Sequence, residues 1–136
     1  MIGANFRGNK LGNSIIVNVL CHLVKAKLRF INLSHNNINK LRYVGTNKNK
    51  TTSTTDVKSG DRYNLFARNV RILNIAYNKL TKIEGINSIR ALHALTFSNN
   101  KITDFPKISG ITGIIVLNLS SNEIGNIDRE PQNQRI

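Results

Sequence analysis

The chain is predicted to be an α/β repeat protein, in which short strands, each followed by a turn, stack side by side with one helix near the start. Three observations point there. An apolar skeleton of Leu, Ile, Val or Phe at fixed spacing returns along the chain, and each return closes on an asparagine: Asn9, Asn36, Asn78, Asn100 and Asn122. Residues two apart in the skeleton are apolar while those between them vary, which is the period of a strand with one buried face. One stretch has a different period: Ile15, Ile16, Val19, Leu20 and Leu23 fall on one face of a helix.

The elements follow in order. Ala4, Phe6, Asn9 and Leu11 form a first, shortened copy, with a helix expected near residues 14–25 and Asn13 or Ser14 as its N-cap. Full copies are Leu28, Ile31, Leu33, Asn36, Ile38; then Val70, Leu73, Ile75, Asn78, Leu80; then Leu92, Leu95, Phe97, Asn100, Ile102; and finally Ile114, Leu117, Leu119, Asn122, Ile124. Strands are therefore expected near residues 4–6, 31–33, 73–75, 95–97 and 117–119. No copy is large enough to bury its own apolar face, so neighbours must stack to make a shared core. The asparagines have a separate cause. Where a strand leaves the sheet its backbone groups lose their partners, and an amide with both donors and an acceptor can replace them.

This pattern resembles the leucine-rich repeat family over nearly the whole chain. The resemblance implies a curved solenoid with about five parallel strands on its concave face, one convex helix near the N-terminus and irregular convex turns later. Two repeat classes are mixed. The first segment is similar to the long, helix-bearing repeats of ribonuclease inhibitor. The later copies resemble the short 22-residue class found in a phosphatase-1 regulatory subunit and an axonemal dynein light chain, whose members bind rather than catalyse.

At 136 residues the chain suits one domain. It divides into a partial long repeat (1–27), a repeat (28–43) followed by a polar insertion (44–64), three short repeats (65–127) and a polar tail (128–136). The insertion is Thr-, Ser-, Lys- and Asn-rich and offers little to bury, so disorder is expected there. It reads either as a binding or phosphorylation arm or as a tolerated insertion. Neither end carries an evident cap, which reads as a fragment of a longer protein or as ends covered by a short helix or a partner. Cys21 stands alone and cannot form an internal disulfide. With no signal-peptide core and no run of about 18 apolar residues, an intracellular location, cytoplasmic or nuclear, is expected.

The formal charge is +13, from 20 Lys and Arg against 7 acids. Most of the excess lies before residue 70. Such a field attracts acidic protein surfaces, nucleic acid or anionic membrane, although an AT-rich genome would also enrich Lys and Asn. Catalysis finds little support. The acids all fall in turns, insertion or tail, and His35 and His93 stand roughly 20 Å apart on the expected sheet, too far to share a metal. Gly3 to Lys10 is a near miss for a phosphate loop, with Asn9 where the motif departs. No cofactor is implied.

The outward columns of the concave face should carry recognition. Arg29, Phe30, Asn32, His35, Arg71, Ile72, Asn74, Tyr77, His93, Thr96 and Asn118 are the expected partner-binding residues, mixing amide, aromatic, apolar and guanidinium groups as recognition patches do. The flanking column of Arg7, Ser34, Ala76, Ser98 and Ser120 is expected to face outward too. The function expected is a non-enzymatic scaffold gripping a protein partner with an acidic surface. The alternative is a basic ribonucleoprotein subunit meeting nucleic acid through its N-terminal half and insertion. Trypsin should cut the chain first at Lys48, Lys50 or Lys58, as exposed polar loops are the favoured nicking sites; first cuts inside 70–127 would contradict the disorder expected of the insertion.

Overall fold

The computed structural model describes residues 2–12, 27–41, 69–83, 86, 89–106, 108 and 111–125. Within these lie five short strands: β1 Gly3–Asn5, β2 Phe30–Asn32, β3 Ile72–Asn74, β4 Ala94–Thr96 and β5 Val116–Asn118. They form one sheet in sequence order, β1-β2-β3-β4-β5, and every neighbouring pair is parallel. The register repeats without a slip. Ala4, Ile31, Leu73, Leu95 and Leu117 sit opposite one another, as do Asn5, Asn32, Asn74, Thr96 and Asn118. The expected helix over 14–25, the insertion 44–64 and the tail 128–136 lie outside the described residues.

Register is held because a slip of one residue would turn each apolar set out of the core. Ile31, Leu73 and Leu95 are buried while their strand neighbours are half-buried. The core continues through Leu33, Ile75 and Phe97, then Ile38, Leu80 and Ile102 beyond the turns, and Leu28, Val70 and Leu92 before the strands. Ile86, Ile89 and Ile111 close it from the return segments. The first and last copies contribute Ala4, Phe6, Leu11, Leu117, Leu119 and Ile124, which are only partly buried. Each of those copies has a described neighbour on one side alone.

The strands end a residue earlier than alternation suggests, and Ser34, Ala76 and Ser98 do not face outward but are buried, with 4, 5 and 7% of their surface exposed. A local bond marks the bend. The Asn32 side-chain oxygen accepts the Ser34 N–H at 3.0 Å, and Asn74 does the same for Ala76 at 3.0 Å. Asn5 and Asn118 repeat the bond to Arg7 and Ser120, which are exposed in the end copies, and Ser98 is buried after Thr96, so burial comes with a repeat on either side. A side chain bonding its own backbone two residues on competes with the ladder and bends the chain, so the period of two stops at that point.

Past the bend the closing asparagines tie one repeat to the one before it. The Asn100 amide donates to Phe97 O at 2.8 Å in its own repeat and to Ile75 O at 3.0 Å in the preceding one, while its oxygen accepts Leu80 N–H at 3.0 Å. Asn78 binds Ile75 O, Leu33 O and Ile38 N–H in the same way. Asn122 binds Leu119 O, Phe97 O and Ile102 N–H, and Asn36 binds Leu33 O, Phe6 O and Leu11 N–H. Asn9 differs: it is exposed, and its amide donates to Arg7 O at 3.2 Å. Among the described residues no buried side-chain polar atom lacks a partner.

Truncating Asn100 leaves the buried Leu80 N–H without its partner and takes one of two donors from Ile75 O and Phe97 O, which keep Asn78 and Asn122. A buried group left unmet costs about 1–3 kcal/mol, so denaturant unfolding should show Asn100→Ala destabilised by about 1–3 kcal/mol and Asn9→Ala by less than about 1 kcal/mol. Asn100→Asp, which keeps an acceptor but sets a charge against two carbonyls, should be no better than the alanine. Equal losses at Asn9 and Asn100 would contradict the inter-repeat tie.

Candidate binding surface on the concave sheet and its rim

The outward side of the sheet is laid out in columns by the register. At the N-terminal edge run Ile2, Arg29, Arg71, His93 and Ile115, each joined to the next by backbone bonds such as Arg71 N–H to Arg29 O at 2.8 Å and His93 N–H to Arg71 O at 2.8 Å. Arg29, Arg71 and His93 are exposed. Neighbouring strands lie about 4.8 Å apart, so two guanidinium-bearing residues start on adjacent rungs. Like charges placed side by side on a sheet repel. The carboxylates among the described residues, Asp104 and Glu123, belong to turn segments and not to this face. His93 is pinned by its ring Nδ1, which lies 2.6 Å from Ala91 O and must carry the proton, because a carbonyl only accepts.

Two middle columns fill the strands. Gly3, Phe30, Ile72, Ala94 and Val116 form the first. Phe30 leans over Gly3: a Cβ at Gly3 would stand 2.9 Å from the ring Cδ1, so the missing side chain is what gives the half-buried ring its bed. Val116 and its neighbour Ile115 are exposed apolar residues. The second column is Asn5, Asn32, Asn74, Thr96 and Asn118. Its asparagines spend their oxygens on the bend described above, which leaves the amide N–H groups to face a partner. Asn32 and Asn118 open Asn-x-Ser sequences of the kind that accept glycans, yet this bend accounts for their presence in the strands.

The rim column lies at the C-terminal edge of the strands, where the repeat count places it, but its backbone conformation and stacking were not legible in sequence. Gly8, His35, Tyr77, Asn99 and Ser121 all precede a closing asparagine, and all have left-handed backbone, with φ of 73°, 55°, 55°, 55° and 54°. Glycine takes that conformation freely and asparagine tolerates it, but a residue with a Cβ does so at a cost of about 1–2 kcal/mol. Two aromatic residues nevertheless occupy it. The rings of His35 and Tyr77 stack with centroids 4.2 Å apart and planes 12° from parallel. Arg7 Nη2 lies 3.4 Å from His35 Nε2; a guanidinium only donates, so Nε2 accepts and the imidazole proton is on Nδ1. The left-handed position turns these side chains up from the sheet, and Tyr77 keeps 50% of its surface exposed.

The sheet therefore brings Arg29, Phe30, Asn32, Arg71, Ile72, Asn74, His93, Thr96 and Asn118 onto one surface, with His35 and Tyr77 standing along its rim. Sequence reasoning missed Arg7 as the neighbour of the rim stack, because its 3.4 Å approach to His35 joins residues of different columns. No group of three His, Cys, Asp or Glu side chains able to hold a metal occurs among the described residues. No helix among them is long and apolar enough to cross a membrane.

With that geometry in place, the comparisons with known proteins agree. The pattern described as Leucine Rich repeats in two copies matches residues 68–110, and the single Leucine Rich Repeat matches 27–46. Among solved structures the chain is similar to an internalin from Listeria monocytogenes, with a TM-score of 0.65 and 18% sequence identity. That likeness covers 93% of this chain and 30% of the internalin chain. No curated protein matches at a significant level. The fold is a leucine-rich-repeat-like solenoid with a parallel concave sheet, as the asparagine skeleton leads one to expect.

If the left-handed rim is a real cost, removing it where no contact is lost should raise stability. Ser121→Gly is expected to stabilise by about 0.5–1 kcal/mol, the strain relief less the entropy that glycine loses on folding. Tyr77→Gly should gain less, since it also forfeits a stack worth about 0.5–1.5 kcal/mol. Thermal melts of the two variants measure this, and a destabilised Ser121→Gly would contradict it.

Proposed function

We propose that the chain is a non-enzymatic interaction scaffold that grips a partner protein of acidic surface on its concave face. The observation that carries this reading is the pair Arg29 and Arg71 on adjacent rungs, exposed, with no described carboxylate on their face. Placing like charges side by side costs stability, and an acidic partner turns that cost into attraction. Beside the pair stand Phe30 and Ile72, with Tyr77 on the opposite rim, apolar and aromatic groups of the kind that dominate binding energy once desolvated. The net charge of +13 would steer an acidic partner towards the sheet.

Nucleic acid is the second reading, favoured by the same charge. Stacking platforms for bases are thin, since aromatic residues make up 6% of the chain and tryptophan is absent. The two readings separate by salt and by site. For a protein partner recovered from source cells, Arg71→Glu or Tyr77→Ala should weaken binding more than tenfold while Lys82→Glu, in a return segment, leaves it intact. Nuclease should not release the partner. A log affinity that falls with log salt by about 0.7–0.9 per phosphate contact, and vanishes on reversing Lys25, Lys27, Lys40 and Arg42 but not in Tyr77→Ala, would overturn the protein reading.

A further inference from the structure

The rim stack is unfinished. Arg7, His35 and Tyr77 occupy three successive rungs, with the guanidinium at one end of the imidazole and the phenol stacked on the other side. Backbone bonds carry the column on, Tyr77 N–H to Ser98 O and Asn99 N–H to Ser120 O. The next two rungs hold Asn99 and Ser121, side chains too small to continue a stack. One face of the Tyr77 ring is covered by His35, and the other looks towards the Asn99 rung on a residue half exposed to solvent. The backbone there is already left-handed at Asn99, so the rung has the geometry that holds an aromatic ring at His35 and Tyr77 without presenting one.

Resting on the concave-face reading above, the geometry points to a specific docking element: an acidic peptide segment of the partner that lays an aromatic side chain on the open face of Tyr77, above Asn99. Charge selects the occupant. A partner arginine could also stack on a tyrosine, but no described carboxylate on this face would receive its charge. An aromatic ring carries no such penalty and prefers offset stacking at the separation already seen between His35 and Tyr77. Arg7 places the acidic residue. Its contact with His35 uses a neutral acceptor and leaves other guanidinium donors for a carboxylate. From the Arg7 rung to the Asn99 rung is three strand spacings, roughly 14 Å, or about four residues of extended chain. The segment therefore runs along the rim, across the strands, with an acid and an aromatic residue about four positions apart.

Because the chain has no tryptophan, a single-tryptophan peptide gives an unobscured signal. The probe is a twelve-residue acidic peptide, a length of about twelve being enough to span the rim at 3.3 Å per residue, carrying one Trp four residues from a Glu. It is titrated with the full chain while Trp anisotropy is followed. The expected result is saturable binding that weakens at least tenfold on Trp→Leu or Glu→Gln in the peptide, and equally on Tyr77→Leu in the protein. Asn99→Tyr, which fills the slot with the chain's own ring on a backbone already suited to it, should also weaken binding at least tenfold while thermal unfolding confirms a folded chain. Absence of binding, indifference to Asn99→Tyr in the folded protein, or preferential binding of a single-stranded oligonucleotide at the same site would each overturn the proposal. If Asn99→Tyr is silent but Arg71→Glu and Tyr77→Ala still weaken capture of the cellular partner, the rim slot falls and the concave-face reading stands; if Arg71→Glu and Tyr77→Ala are silent as well, both fall.

Discussion

The amide side chains of Asn36, Asn78, Asn100 and Asn122 hold the fold together in a way that apolar contact cannot. Hydrophobic burial is non-directional, so a stack of Leu and Ile rungs would tolerate rotation or sliding of one repeat on the next. Each asparagine removes that freedom by bonding a carbonyl in its own turn, a carbonyl in the preceding repeat and an amide just beyond that repeat's own asparagine. Two of these partners belong to the neighbour. The same amide therefore satisfies a turn and sets the spacing of two repeats, and the parallel register follows from its repetition.

That tie also shapes the surface. To bring the asparagine under the turn, the chain bends immediately after the strand and passes through a left-handed residue, at Gly8, His35, Tyr77, Asn99 and Ser121 alike. The bend buries Ser34, Ala76 and Ser98 and lifts the next side chain to the rim. A residue in that position is free of packing demands, which leaves it open to selection for contact. The strained backbone beneath His35 and Tyr77 is held by the turn bonds around it, as strain at recognition sites commonly is.

Electrostatics act on the result and do not build it. Arg29 and Arg71 sit on adjacent rungs because the repeat places them there, and no described acid shares their face. Exposed charges in water cost little at this spacing and are screened over about 8–10 Å, so the solenoid tolerates them. On a desolvated interface the same pair would weigh far more.

Sequence by itself determined the strands, their order and their inward residues, because a period of two ended by an asparagine allows one stacking solution. Leu33, Ile75 and Phe97 are core for that reason, and Arg29, Arg71 and Tyr77 were legible as surface by the same count. What alternation could not show was where it stops. The burial of Ser34, Ala76 and Ser98 depends on the bend and on a repeat packed on either side, since Arg7 and Ser120 in the end copies stay exposed, and a strand pattern contains no sign of a side chain bonding its own backbone. The repeat count set His35 and Tyr77 in one column, since they are 42 residues apart as the Asn36 and Asn78 that follow them are, but the stacking of their rings and the approach of Arg7 lay out of its reach. Only the tertiary structure decided that a left-handed turn, repeated at a fixed register, would carry a guanidinium, an imidazole and a phenol to neighbouring rungs of one edge.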